Sequence, residues 1–303
     1  MPLMKSENRT SNASPNALKA YFLASRPKTW IASLSPVMIG TAFVNRVDPL
    51  ILTLTLLFSL FIQIGTNYAN DYFDCMKGAD THLRNGPKRA TQEGWIAPKA
   101  MLMATAVLFV SAFLVAFPLM LLAGLWSVFL SILCIALGIL YTGGPKPLGY
   151  LGLGEVFVFL FFGPVATCGS FFLQMKTVSL PVLIASFLPG LLSCSLLIAN
   201  NLRDEKSDRA ANKKTLIVRW GRRFGCWEYT SCVLFSSLVG PILVLAFGAP
   251  FSLMGTLLLI PMAMQSIRKV FSFRDPLELI AVLQNSALLL LFATLLFMMQ
   301  RFH

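Results

Sequence analysis

The chain has 303 residues, of which 56% are hydrophobic and 13% are charged, and its mean hydropathy is +0.71. This composition excludes a soluble globular domain, because such domains carry about 25% charged residues. The formal charge of +12 is spread over short segments between apolar runs, which argues against a folded basic domain that binds nucleic acid.

The chain begins with a polar arm. Residues 1–20 are rich in Ser and Asn, and we expect them to be disordered. They contain no apolar stretch of the kind that a secretory signal peptide needs. From Ala17 to Trp30 apolar and basic residues are mixed, which favours a segment lying at the membrane interface.

Nine apolar segments follow, and each is near the ~20 residues that a hydrocarbon core about 30 Å thick requires. They are 29–45, 50–69, 100–117, 119–141, 152–174, 178–199, 229–247, 250–266 and 280–300. The first is short and is interrupted by Pro36 and Gly40. If Pro118 only kinks one longer hairpin, the count changes by one. The sequence thus predicts an all-α integral membrane protein, with about nine transmembrane helices in one bundle and a single domain over 1–303.

The second segment ends in a row of side chains that bear oxygen. Asn67, Asn70, Asp71 and Asp74 recur at helical spacing, and Asp80 follows shortly after. A carboxylate at the centre of a bilayer costs about 2.5–3.5 kcal/mol on insertion scales, so this first acidic cluster needs a compensating ligand. A divalent cation carrying a phosphorylated substrate is the natural candidate.

The connection at 141–155 is dense in Gly and Pro. Its glycines are no dinucleotide fingerprint, because no strand precedes them. Tight turns and close helix contacts are the favoured explanation for these glycines. Lys146 and Glu155 lie at the membrane boundary within this connection, where they could reach the same cavity as the acidic cluster.

The sixth segment ends in a second acidic cluster. This cluster comprises Asn200, Asn201, Arg203, Asp204 and Asp208. The spacing of Asn200 and Asp204 repeats that of Asn67 and Asp71. Because residues three and four apart share a helical face, we expect two facing rows that form a cage of oxygen atoms. A solvated helix end with local ion pairs is the alternative for either cluster alone, and the repeated spacing favours the cage.

The donor atoms favour magnesium. Mg²⁺ takes few carboxylates, keeps several waters and is completed by substrate phosphates. Zinc would want His or Cys ligands, and of these only His82 and Cys75 lie near the carboxylates, with apolar packing the favoured interpretation for Cys75.

A basic stretch follows each cluster, with Lys88 and Arg89 after the first and Lys213 and Lys214 after the second. Such side chains neutralise outward-facing oxygens of a diphosphate and assist its departure. Anchoring at the membrane surface is the other interpretation, and the sequence leaves both open. The 25 Phe residues likewise fit either an ordinary apolar core or a tunnel for an isoprenoid tail.

Charge asymmetry gives an orientation. If successive segments alternate in direction, 22 of the 25 basic residues fall on the side that holds both acidic clusters. Arg46, Lys176 and Arg301 fall on the other side. By the positive-inside rule, the N-terminus and the cavity face the cytoplasm.

The chain resembles the UbiA superfamily of intramembrane aromatic prenyltransferases. The stretches that carry the resemblance are Arg26-Pro-Lys-Thr29, Asn70-Asp71-Tyr-Phe-Asp74, the loop 141–146, Asn201-x-Arg-Asp204-x-x-x-Asp208 and Lys214-Thr-Leu. The strings 74–80, 86–94 and 142–155 resemble the menaquinone branch, the 1,4-dihydroxy-2-naphthoate polyprenyltransferases. Glu155 stands where that branch often has Asp.

The resemblance implies transfer of a polyprenyl group from its diphosphate to dihydroxynaphthoate within the lipid bilayer, with loss of CO₂ and diphosphate, in a bacterial inner membrane. It implies Mg²⁺ as cofactor, held by Asp71, Asp74, Asp80, Asp204 and Asp208. Predicted catalytic residues are Arg89, Lys146, Glu155 and Lys214, with Arg89 or Lys146 as partner of the acceptor carboxylate. Predicted substrate-binding residues are Asn67, Asn70, Lys77, Lys88, Tyr141, Asn200, Asn201 and Arg203.

Two alternatives remain at this point. Another member of the superfamily would use a benzenoid, chlorophyll-type or haem acceptor. A cation or organic-anion transporter would also place acidic residues at helix ends, although alternating access favours a site near the midplane. The sequence does not identify a protein partner.

Overall fold

The computed structural model describes residues 15–78 and 86–300, and within these ranges it consists of helices and loops, with no β-strand. The helices are α1 Ala17–Ala24, α2 Trp30–Ala42, α3 Pro49–Met76, α4 Pro98–Ala123, α5 Leu125–Leu140, α6 Gly154–Leu160, α7 Ala166–Met175, α8 Leu180–Ala210, α9 Leu216–Trp220, α10 Arg222–Phe247, α11 Leu259–Ser272 and α12 Leu279–Met299. Short tight turns of helix precede α2, α6, α11 and α12, and a π turn, Phe161–Val165, joins α6 to α7.

Seven of the described helical stretches are long and apolar enough to cross a membrane. They are α3, α4, the joined stretch Gly154–Met175, α8, α10, Phe251–Ser272 and Pro276–Met299. The apolar helix α5 has 16 residues and α2 has 13. Each of the nine apolar segments therefore coincides with a helix, and the all-α membrane fold is confirmed, with a helix count that depends on the two short members.

The breaks between helices differ from those expected at two places. Helix α4 continues through Pro118 to Ala123, and the chain turns instead at Gly124, whose φ is 92°. Glycine adopts positive φ without steric cost, so it ends the helix where proline only removes one hydrogen bond. Helix α2 likewise continues through Pro36 and is not interrupted there.

The N-terminal arm is only partly described. Residues 1–14 lie outside the described ranges, but α1 begins at Ala17, so the last residues of the expected disordered arm are helical. Ala20 and Ala24 of α1 are buried and pack beside Tyr68 and Met101. Leu18 is 81% exposed on the opposite side of α1, as an interfacial segment would require.

Helix α8 is the centre of the bundle. It packs against α2, α6, α10 and α12, and 72% of its most apolar window is buried. Leu188, Leu192 and Ile198 are fully buried in this core. Helix α8 extends past its apolar part for about three more turns, so the second acidic cluster lies on a continuous helix.

Small residues allow the helices to approach closely where they cross. Gly163 in the π turn lies against Gly190 of α8, and a methyl group on Gly163 would come within 2.9 Å of the Ser186 carbonyl oxygen. Membrane helices pack through such residues because lipid exposure provides no hydrophobic driving force for association. The crossing fixes the kink between α6 and α7, whose residues line the cavity described below.

We expect Gly40→Ala to lower the apparent Tm of the detergent-purified protein. A methyl group there would fall inside contact distance of the Thr167 carbonyl and the Ser170 hydroxyl of α7, and a backbone carbonyl cannot move aside. Gly169→Ala on α7 is the matched control, because no atom of the described chain lies within 4 Å of the added methyl group and alanine favours helix. Equal melting temperatures for the two variants would contradict this packing.

Candidate functional site

The two acidic clusters meet at one end of the bundle. The Lys213 ammonium lies 3.4 Å from Asp74 Oδ2 of α3 and 3.8 Å from Asp208 Oδ1 of α8. Carboxylates from the two helices therefore share one cation, and we call this group with its hydrogen-bonded partners the ion cluster. Lys213, and not its predicted neighbour Lys214, makes this connection, and the Lys214 side chain is exposed.

Asp74 is the most heavily paired acidic residue of the described site. Its side chain is 2% exposed, and its Oδ2 accepts a hydrogen bond of 3.0 Å from Arg89 Nη2. The Tyr150 hydroxyl donates to its Oδ1 at 2.9 Å. A buried carboxylate is strongly destabilising unless it is paired and hydrogen-bonded, and here both of its oxygens have partners.

Asp71 holds the 86–97 loop. Its two oxygens accept from the backbone N–H groups of Ala90 and Thr91, at 3.0 and 2.9 Å. Arg89 immediately precedes these residues, so this contact also positions the guanidinium beside Asp74. The sequence predicts Asp71 as a metal ligand, and in this conformation it is the anchor of the loop.

Asp204 is paired with its neighbour in sequence. Arg203 donates to both of its oxygens, from Nε at 2.8 Å and from Nη2 at 2.6 Å. Among residues 15–78 and 86–300, no group of three acidic or other ligating side chains converges on a point that could hold a metal ion. In this conformation the buried carboxylates have arginine, lysine and backbone N–H groups as partners, and the expected cage of oxygen atoms around one point is not formed.

The 141–150 loop covers the same end of the bundle. Lys77 donates to the carbonyl oxygens of Thr142 and Gly144, at 2.6 and 3.0 Å. The Thr142 hydroxyl donates to Asn70 Oδ1 at 2.7 Å. The ring of Tyr150 has Lys77 and Lys213 at 5.1 and 4.8 Å from its centroid. Cations within 6 Å of a ring face are attracted to it, so Tyr150 links both lysines to Asp74.

Lys77 lies beyond the end of α3, at the edge of the ion cluster. Partial burial lowers the pKa of its ammonium below the ordinary value of 10.5, and the neighbouring Lys213 acts in the same direction. Asp74 opposes both by favouring the charged form. The lysine pair thus gathers positive charge at a place where burial already disfavours it, and an arriving anion would relieve that cost.

Several predicted residues lie apart from the ion cluster. Lys88 pairs with Glu93 and its side chain is 63% exposed, while Lys146 is exposed. Glu155 is buried and accepts a hydrogen bond of 2.9 Å from Asn201, behind the cluster. Asp80 lies outside the described residues.

An elongated cavity of about 340 Å³ lies in the apolar part of the bundle, next to the helical turns that carry the acidic clusters. Asn67, Asn70, Tyr141 and Asn200 line its mouth, and each of the three asparagines lies about one helical turn before an aspartate. Thr55 lines the other end, and the distance from Thr55 to Asn70 along α3 is roughly 22 Å at 1.5 Å per residue. The walls between are mostly apolar, so the cavity fits an apolar chain with a polar head at the mouth.

Arg26 is the one cation among the described residues that line the cavity, and none of these is acidic. Its backbone has φ 52°, in the left-handed region that costs a non-glycine residue of the order of 1–3 kcal/mol. Asn67 donates to the carbonyl oxygen of Ser25 at 2.9 Å, which ties this segment to α3. The arrangement gives the apolar cavity a single fixed positive charge among its described lining.

Sequence reasoning missed the parts that Lys213, Tyr150, Thr142 and Arg26 play. Tyr150 and Arg26 lie inside recognised motifs, but motif positions alone do not say which side chain faces the site. Lys213 could not be separated from Lys214 because the turn after α8 decides which of the two points inward.

Comparisons with known proteins identify the family of the chain. The model of the UbiA prenyltransferase family matches residues 33–296. The 1,4-dihydroxy-2-naphthoate octaprenyltransferase of Mycobacterium tuberculosis is 36% identical over 269 residues, which cover 88% of this chain and 91% of that protein. The protein of the same description in Escherichia coli is 34% identical over 292 residues, covering 93% of this chain and 94% of the relative.

Solved structures share the fold. A UbiA homolog from Archaeoglobus fulgidus superposes with a TM-score of 0.68 at 14% identity, covering 93% of this chain and 98% of the other. The same homolog bound to DMAPP and Mg²⁺ gives 0.62 at 15% identity, with coverage of 92% and 99%.

We expect Asp71→Ala to accelerate hydrogen exchange in the 86–97 loop of the metal-free protein. The loss of both acceptors for Ala90 and Thr91 removes about 1–3 kcal/mol of protection, which corresponds to roughly five- to hundredfold faster exchange. Asp204→Ala is the matched control, since Asp204 pairs with Arg203 and does not contact the loop through these bonds. Unchanged exchange in the Asp71 variant would show that the loop is held by other contacts.

Proposed function

Because the chain belongs to the UbiA prenyltransferase family, we propose that it transfers a polyprenyl group from polyprenyl diphosphate to 1,4-dihydroxy-2-naphthoate. The reaction releases CO₂ and diphosphate and gives demethylmenaquinol for menaquinone biosynthesis. The observation that carries the proposal is the ion cluster at the mouth of an elongated apolar cavity, because this pairing matches a donor with a charged head and an apolar tail.

The shape and charge of the cavity support one orientation of the donor. Its isoprenoid tail occupies the cavity between α2, α3, α5 and the α6–α7 kink, and its diphosphate lies at the mouth. Lys213 and Arg89 are cations of the ion cluster, and Lys77 contacts the 141–150 loop beside them. Charge-assisted hydrogen bonds from such groups hold a diphosphate and stabilise it as a leaving group.

The donor set fits a divalent cation. Buried carboxylates with oxygen atoms only, and water and phosphate to complete the shell, suit Mg²⁺. Asp74 and Asp208 would hold one ion, since both already lie within 4 Å of one ammonium, and Asp71 and Asp204 are the further ligands. When bound, the metal neutralises charge on the departing diphosphate.

Loading the site is an exchange of partners. The four aspartates of the described site, Asp71, Asp74, Asp204 and Asp208, are balanced by nearby Lys77, Arg89, Arg203 and Lys213. A diphosphate arriving with its metal ions brings both signs of charge. With the metal bound, Asp74, Asp204 and Asp208 would hold it in place of their present cationic partners, and Arg89, Arg203 and Lys213 would bind phosphate oxygens. The buried charges of the ion cluster would thus have partners at both stages, which avoids a penalty of several kcal/mol per ion.

The transfer follows from this arrangement. The allylic C–O bond breaks and its electron pair leaves with the diphosphate, which Arg89 and Lys213 stabilise. The electron-rich ring supplies the pair for the new C–C bond, and the electrons of its bond to the carboxylate return to the ring as CO₂ departs. The loops 86–97 and 141–150 keep water from the allylic cation.

Arg26 is the residue that we assign to the acceptor's carboxylate. It is the cation in the described cavity wall, which neither Arg89 nor Lys146 lines. Arg26 therefore takes the role for which the sequence suggests Arg89 or Lys146. Arginine forms bidentate bonds with carboxylates, so it also orients the ring.

The ion cluster lies on the side that carries 22 of the 25 basic residues, so we place it at the cytoplasmic face of a bacterial inner membrane. A transporter is not favoured, since the family and the curated relatives are prenyltransferases. The same comparisons favour dihydroxynaphthoate over other aromatic acceptors.

We expect the purified protein to form prenylated naphthol and diphosphate from geranylgeranyl diphosphate, 1,4-dihydroxy-2-naphthoate and Mg²⁺. EDTA should stop turnover and added Mg²⁺ should restore it. Asp74→Asn and Asp208→Asn should each lower kcat by roughly a hundredfold or more, while Asp275→Asn, at an exposed helix cap, should leave it unchanged. Prenylation of another aromatic acceptor, with dihydroxynaphthoate left unreacted, would refute the assignment.

Arg26→Ala should raise the KM for dihydroxynaphthoate and lower kcat/KM by about ten- to hundredfold, the value of a charge-assisted hydrogen bond. The KM for the prenyl donor should stay within about twofold, because the tail does not need this charge. Lys28→Ala is the control, since Lys28 is exposed one residue beyond Pro27. An unchanged acceptor KM in the Arg26 variant would place the carboxylate elsewhere.

A further inference from the structure

The far end of the cavity lies close to the opposite end of the bundle. Its lining there includes Met120 near the end of α4, Trp126 at the second position of α5 and Leu173 near the end of α7. The cavity thus runs through most of the helical layer. The residues at the far end of the cavity therefore determine what length of isoprenoid tail the cavity can enclose.

An aromatic pair stands at that end. The indole of Trp126 packs edge-on against the ring of Phe172, with centroids 5.1 Å apart and planes at 79°. Trp126 lines the cavity and is also 46% exposed. Trp126 therefore lies between the cavity and the outer surface of the bundle at this end, and the described chain covers its outer face only in part.

The backbone around this pair is held in place. Gly124 alone joins α4 to α5, and the Ser127 N–H and hydroxyl both donate to its carbonyl oxygen, at 3.1 and 2.6 Å. Lys176, which ends α7, donates to the Leu122 carbonyl oxygen at 3.2 Å. These bonds tie the α4–α5 corner to the end of α7, so the indole is held against Phe172 from both sides.

We propose that the Trp126–Phe172 pair is the floor of the cavity and determines which lengths of isoprenoid tail the enzyme accepts, an inference that rests on the prenyl transfer proposed above. A tail that ends before Trp126 gains contact with the indole. A longer tail must displace the indole to reach lipid or must fold back on itself, and it loses binding energy either way. The pair acts on the tail and leaves the chemistry at the ion cluster unchanged.

The test compares kcat/KM for octaprenyl diphosphate with kcat/KM for geranylgeranyl diphosphate in the wild type and in Trp126→Ala. Removing the indole opens the floor, so the ratio of the long to the short donor should rise about five- to tenfold. Trp126→Phe keeps a ring against Phe172 and should keep the wild-type ratio. Phe172→Ala, which leaves the indole unsupported, should shift the ratio in the same direction as Trp126→Ala.

Phe129→Ala is the matched control. Phe129 lies on α5 close to Trp126 and is 70% exposed, but it does not line the cavity, so the ratio should stay at the wild-type value. An unchanged ratio in both Trp126→Ala and Phe172→Ala overturns the floor, and so does an equal shift in Phe129→Ala. If the wild type prenylates no acceptor with either donor, the proposed function itself fails, and that result is distinct from an active enzyme with an unaltered ratio.

Discussion

The whole site depends on the need of buried carboxylates for positive partners. Asp71, Asp74, Asp204 and Asp208 lie at the ends of α3 and α8, and each is 9% exposed or less. Asp71 accepts from the backbone of a loop, and Asp74 pairs with a distant arginine, Arg89. Asp204 pairs with the adjacent Arg203, and Asp208 lies near Lys213, the lysine after α8. The position of both loops at this end follows from these bonds, because Asp71 holds one and Tyr150 brings the other to Asp74.

The ion cluster and the cavity form one functional unit because α3 carries residues of both. One face of α3 bears Asn67 and Asn70 at the cavity mouth, and the next turn bears Asp71 and Asp74. A single helix, α3, can therefore contact both the apolar tail and the charged head of one substrate. The chain kinks at Gly163, and residues on both sides of the kink line the facing wall of the same space.

The helices and the two acidic clusters could be predicted from the sequence, because both depend on local sequence patterns. Hydropathy located the helices, since lipid requires long apolar runs, and the repeated Asn-x-x-x-Asp spacing placed two clusters at one end. Contacts made by loops were not readable. The choice of Lys213 over Lys214, the hold of Asp71 on the 86–97 loop and the entry of Arg26 into the cavity all depend on turns whose geometry hydropathy does not encode. Helix α4 continues through Pro118, where it loses only one backbone hydrogen bond, and it ends at Gly124, because glycine can adopt the positive φ that the turn requires.

The lysine shared by Asp74 and Asp208 bears on how the protein is made. A nascent helix that carried uncompensated acidic groups would resist assembly in the bilayer until an ion arrived. Lys213, Arg89 and Arg203 supply that compensation from within the chain, so the burial of these carboxylates does not depend on a bound metal ion.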